Sequence, residues 1–126
     1  MVNIDKHIAH WRNGSDEDWL VAQVLLEKNQ IRHALFFGHL ALEKILKAHV
    51  CRMTCELAPP IHNLVRLAEK AGLEISPDQR DLLADVNEFN IECRYPELLM
   101  PPLGRKNAEE YLRRMDEIRR CWNSLF

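Results

Sequence analysis

The polar residues of this chain that could do chemistry are Glu43, Lys44 and Lys47 within the run Ala34 to Ala48 (ALFFGHLALEKILKA), His62 just after Pro59 and Pro60, Asn87, and Arg94 followed by Tyr95. On a helix, Glu43 and Lys47 stand one turn apart with the acid N-terminal to the base. As an exposed ion pair they would contribute only about 0.3 to 0.5 kcal/mol. They could equally line a polar groove at a dimer or ligand surface, because the large apolar Phe36 and Leu40 share their side of the helix. An arginine such as Arg94 can hold a phosphate through two parallel hydrogen bonds, and a nearby lysine adds a point charge. The same arginine could instead pair with Glu43 or bond helix carbonyls inside the fold. His62 suits local hydrogen bonding or capping as well as acid–base chemistry.

These residues need elements to position them, and the sequence reads as helices throughout. In the run from Ile31, residues Ala34, Leu35, Phe37, Gly38, Ala41, Leu42, Ile45, Leu46 and Ala48 fall within one half of a helical wheel, the face for a core. With Phe36 and Leu40 on the other half, this helix is expected to pack on two sides. Gly38 suggests close approach of another helix, since glycine inside a helix is otherwise a poor choice. The central helix should run from about Ile31 to Cys55, ahead of Pro59 and Pro60.

Before it, a first helix is expected from near Asn3, broken or kinked at Asn13, Gly14 and Ser15, and restarting at Asp16 with Ser15 and Asp18 as a capping arrangement. After it, IHNLVRLAEKA (residues 61–71) reads as a short helix closed by Gly72 in the left-handed region. Ser76, Pro77 and Gln79 mark the start of another, with Leu82, Leu83, Val86, Phe89 and Cys93 as its stripe and Asn87, Asn90 and Arg94 beside it. That helix must end by Tyr95, before Pro96. Residues 95–104 form a proline-rich loop, apolar enough to pack down. Asn107 with Glu110 is expected to cap the last helix, whose stripe is Ala108, Tyr111, Leu112, Met115, Ile118, Trp122 and Leu125. Its arginines (113, 114, 119 and 120) read as a solvated face offset by acids such as Glu110 and Asp116.

At 126 residues and 47% hydrophobic, the chain suits one all-α domain over residues 1–126. A net charge of −2 argues against a protein that coats nucleic acid through phosphate contacts alone. No run of 18 apolar residues and no charged-then-apolar leader is seen, so a cytoplasmic protein off the membrane is expected. Cys51, Cys55, Cys93 and Cys121 lack the CxxC spacing of a zinc site and are read as reduced thiols, so no metal and no cofactor is called for.

Taken in order, the serine-acidic helix start (Ser15 to Asp18), ALFFGHLALEKILKA, PPIHNL (residues 59–64) and NEFNIECRYPE (residues 87–97) resemble the HEPN domain family of small bacterial and archaeal helical proteins. The resemblance covers nearly the whole chain. Its most specific pieces are Glu43, Lys44, Lys47 and Ala48, the Arg94-Tyr95-Pro96 block, and His62. It implies an up-and-down bundle of four main helices plus a short one, usually a homodimer, with Phe36 and Leu40 as candidates for the dimer surface. It also implies association with a nucleotide or RNA, and frequent pairing with a minimal nucleotidyltransferase in toxin–antitoxin modules. Under it, Glu43, Lys44, Lys47, His62, Asn87, Arg94 and Tyr95 become the candidate site for nucleotide, RNA or partner.

Many members are metal-independent ribonucleases that bring together, across the dimer, an arginine and a histidine with four to six residues between them in sequence. Here Leu99, Met100 and Pro101 occupy the positions where that histidine would fall after Arg94, and none of them transfers protons near neutral pH. The reading is therefore a non-catalytic binding module, the alternative being a ribonuclease with a displaced constellation such as His39 or His62 with Arg94. Arg32 and His39 also satisfy the bare spacing, at a different place in the domain, and are read as coincidence.

Overall fold

The computed structural model describes residues 3–91 in full, the backbone of residues 92–94, and residues 103–126. Five helices follow in order: α1 (Ile4–Glu27), α2 (Ile31–Thr54), α3 (Leu64–Lys70), α4 (Pro77–Arg94) and α5 (Arg105–Asn123). The architecture is all-α, four long helices and one short one, and α2 touches all the others.

That centrality follows from composition. From Ala34 to Cys51, α2 is buried on nearly every side, so it serves as the core's axis instead of one wall of it. Leu42, Ile45 and Leu46 meet Leu64 and Leu67 of α3, Leu83 and Val86 of α4, and Met115 of α5 in one apolar cluster. At Gly38 the side chains of α5 press on α2: a Cβ there would lie 2.6 Å from Met115 Cε and 3.0 Å from Leu112 Cδ2. Phe36, Phe37 and Leu40 are half-buried.

The expected break at Asn13 to Ser15 does not exist; α1 runs unbroken through it. The small residues serve the crossing with α2. The Ser15 hydroxyl, fully buried, donates to the Ala41 carbonyl at 2.7 Å, and Gly14 leaves room for the Lys44 side chain, whose Cδ would stand 3.0 Å from an added Cβ. Asp18 then pairs with Lys44 at 2.7 Å instead of capping a second helix.

The other boundaries fall close to expectation, with two corrections. Cys55 closes α2 in the left-handed region (φ 57°), and Gly72 does the same after α3 (φ 69°). At α4, Ser76 Oγ accepts from the Gln79 amide at 3.1 Å while Gln79 Oε1 accepts from the Ser76 amide at 2.9 Å, the reciprocal box that the sequence spells out. The first correction is that α3 starts at Leu64, not Ile61, because Asn63 takes the cap, its side chain accepting from the Arg66 amide at 3.2 Å. The second is that α5 begins at Arg105 with Gly104 as its cap, ahead of Asn107. There Arg105 donates to the Leu26 carbonyl at 2.8 Å and so ties the start of α5 to the end of α1.

The α5 stripe is buried at Ala108, Leu112, Met115, Ile118 and Trp122; Tyr111 is half-buried and Leu125 exposed. Three of the four arginines named above find acids: Arg113 sits between Glu110 and Glu117, Arg119 reaches Asp16 at 2.8 Å, and Arg120 reaches Asp116 at 3.0 Å, while Arg114 lies over the Tyr111 ring. Cys51 is buried, Cys55 and Cys121 are exposed, and all three are free thiols. No described helix is long and apolar enough to cross a membrane.

Candidate functional site

Glu43 and Lys47 share one face of α2 for the reason their spacing gives, but both are buried, at 4% and 6% exposure. Taking a carboxylate and an ammonium out of water is costly unless each finds partners. Lys47 Nζ lies 3.2 Å from Glu43 Oε2 and 5.2 Å from the centre of the Trp11 ring, so its charge is met by a carboxylate and an aromatic face. The other oxygen, Glu43 Oε1, is 2.9 Å from His62 Nδ1.

His62 stands just outside α3, with Asn63 as the cap, so it is not the capping residue. Its side chain is 52% exposed although its partner carboxylate is buried. Its backbone is held as well: His39, fully buried on α2, places Nε2 3.0 Å from the His62 carbonyl. A carbonyl only accepts, so His39 Nε2 donates, and His39 Nδ1 faces the Asn90 amide nitrogen of α4 at 3.4 Å. Asn87 fixes the next stretch. Its Oδ1 accepts from the Leu64 amide at 2.9 Å and its amide nitrogen donates to Asn63 Oδ1 at 3.3 Å, docking the start of α3 onto α4.

The structure thus brings Glu43, Lys47 and His62 into one network, with Asn87 supporting the same corner through the α3 start. Lys44 goes elsewhere, to Asp18 of α1. The Arg94 side chain and Tyr95 lie outside the described residues. Arg32 lines a surface hollow of about 370 Å³ near the α1–α2 connection, with Gln30, His33 and Leu103 among its neighbours, whereas His39 is interior. Their matching spacing therefore assembles no site.

His39 and Asn90 hold His62 in place, a role the sequence did not suggest. Asn63, placed inside α3 by the sequence reading, carries the signal that would have marked it as the cap, an asparagine directly before an apolar repeat. Arg66, one turn further along α3, is exposed and has no acid partner among the described residues. No group of three metal-binding side chains comes together among the described residues.

Chemically, the arrangement presents one half-exposed imidazole whose inner nitrogen is occupied by a buried carboxylate. Glu43 and Lys47 cancel in charge and are shielded from solvent, so they frame the site and do not form its contact surface. What remains open is the outer edge of His62, just ahead of α3, with the exposed Arg66 in the first turn of that helix.

No curated protein matches the chain. Among solved structures, the crystal structure of TT1696 from Thermus thermophilus is similar, with a TM-score of 0.80 over 94% of this chain and 98% of that one, at 19% sequence identity. That identity speaks for the fold alone, and the fold agrees. The family model for the HEPN domain matches residues 8–125, from the first turns of α1 to the end of the last helix, and by that match the chain belongs to the HEPN domain family.

Proposed function

We propose that the chain is a non-catalytic binding module that takes a nucleotide or an RNA strand at the His62 edge. In this reading it acts as a homodimer and partners a minimal nucleotidyltransferase in a toxin–antitoxin-like pair. The observation that carries the ligand reading is the way buried groups converge on one exposed ring: Glu43 on its Nδ1, His39 on its carbonyl, Lys47 behind Glu43, Asn90 behind His39. Buried polar side chains are costly, and here they serve to hold a group that the core itself does not need. Arg66 supplies a cation without a local acid, suited to a phosphate. The half-buried Phe36 and Leu40, outside the main apolar cluster, favour a protein partner on α2.

Calorimetric titration with adenosine triphosphate and with a single-stranded RNA of about ten nucleotides, a length within the usual single-strand site sizes, tests the reading. Saturable heat is expected, with an affinity that His62→Ala or Arg66→Ala weakens. No heat with either probe, for the chain alone and for its complex with a nucleotidyltransferase, would end it.

One observation favours a second reading, a metal-independent ribonuclease. A carboxylate-held imidazole with an open nitrogen is a form that a general base takes. Incubation with total RNA in the presence of EDTA separates the two: cleavage lost in His62→Ala would support the enzyme, and intact RNA supports the binding module.

A further inference from the structure

We propose that Glu43 is a positioning residue that makes His62 Nε2 a hydrogen-bond acceptor, so that this edge reads a neutral donor on its ligand, a ribose hydroxyl, and not an anion. The inference rests on the nucleotide or RNA reading above and assigns the contact within it.

An ionised carboxylate only accepts hydrogen bonds, so the ring nitrogen 2.9 Å from Glu43 Oε1 must carry a proton. That nitrogen is Nδ1. In the neutral imidazole the other nitrogen then keeps its lone pair, and among the described residues nothing is bonded to it. The ring has little freedom to escape this assignment. Lys47 holds the second oxygen of Glu43, and His39 holds the backbone from which the His62 side chain projects. A phosphate oxygen arriving at Nε2 would bring a lone pair to a lone pair, whereas a hydroxyl would donate into it. Phosphate recognition would fall to Arg66, and the 2′-hydroxyl, the donor that separates RNA from DNA, would fall to His62.

The test has two arms. In the first, the ring nitrogens of His62 are observed by nitrogen NMR in the labelled full chain at neutral pH. The expected spectrum shows the proton on Nδ1 and an unprotonated Nε2, with Glu43→Gln, whose amide both donates and accepts, giving a mixture of tautomers. A proton on Nε2 in the wild type overturns the proposal whatever the protein binds.

In the second arm, a single-stranded RNA of about ten nucleotides is compared with DNA of the same sequence and with the 2′-O-methyl RNA, which keeps the sugar oxygen and removes its proton. RNA is expected to bind about two- to tenfold more tightly than either, the contribution of one hydrogen bond. That preference should vanish in His62→Ala and persist in Arg66→Ala, which weakens all three alike. Equal binding of RNA and DNA overturns the acceptor role and leaves the binding reading standing; no binding of any strand overturns the acceptor role, and with no heat from adenosine triphosphate it overturns both.

Discussion

At the scale of single residues, Glu43 is the group with most to lose. It is buried and holds Lys47 with one oxygen and His62 with the other. Glu43→Ala would leave a buried ammonium without its counter-charge, a change that costs about 3 to 5 kcal/mol. We expect a loss of that order in urea unfolding, while His62→Ala, at a half-exposed ring, costs less than about 1 kcal/mol. The double change Glu43→Leu with Lys47→Met should recover most of the loss; failure to recover would mean that the pair contributes more than mutual charge compensation.

His49 gives the second prediction. It is fully buried, its Nε2 is 2.8 Å from the Trp122 carbonyl, and its ring packs on Phe126. Burial pushes its pKa below the ordinary 6.5; the bond to Trp122 opposes this, and Arg52 and Arg12 add to it. The unfolded chain therefore takes up this proton at a pH where the folded chain does not. Its contribution to stability is whole above 6.5 and is lost as pH falls from there towards the folded value. Melting temperatures followed from neutral pH downwards should fall less steeply in His49→Gln than in the wild type, and equal slopes would contradict this.

At the scale of elements, the sequence announced several of the boundaries that rest on local chemistry, though not the Asn63 cap of α3. The Ser76–Gln79 box and Gly72 are local devices, and each lies where its residue types require. Asn13-Gly14-Ser15 has the composition of a turn, yet it lies inside α1, because the partners that use it are 26 and 30 residues away, at Ala41 and Lys44. The candidate site divides the same way. Glu43 and Lys47 were legible as a pair from their spacing, but the Glu43–His62 contact spans 19 residues and depends on how the segment after α2 folds back. The holding role of His39 carried no signal, since its partner is a backbone carbonyl.

These tertiary uses are testable. Ser15→Ala should cost about 1 kcal/mol by leaving the buried Ala41 carbonyl without this donor. Gly38→Ala should destabilise by about 1 to 2 kcal/mol, since its Cβ collides with the fully buried Met115 and the strain exceeds the gain in helix propensity. Met115→Ala in the same chain should absorb part of that strain. A neutral or stabilising Gly38→Ala would show that α5 shifts away freely.

At the scale of the whole molecule, the all-α bundle and its family were legible because amphipathic periodicity and motif order extend along the entire chain, and the HEPN match over residues 8–125 agrees with them. Surfaces were less legible. The α5 arginines, read from the sequence as a solvated face offset by acids, are largely paired with acids in the fold, Arg119 with the more distant Asp16, which leaves the α3 corner as the candidate surface. Phe36 and Leu40 remain half-buried, and in our reading they meet a second copy. Light scattering of Leu40→Glu should then give a monomer where the wild type gives a dimer, and a monomeric wild type would remove the dimer from the proposal.

The ligand reading depends on where a bound strand touches. The most direct measurement is an NMR titration of the labelled chain with single-stranded RNA of about ten nucleotides, mapping which resonances move. We predict that shifts centre on His62, Asn63 and Arg66 and leave the Arg113 and Arg120 region of α5 unchanged. Shifts centred on α5 with His62 unmoved would contradict the account.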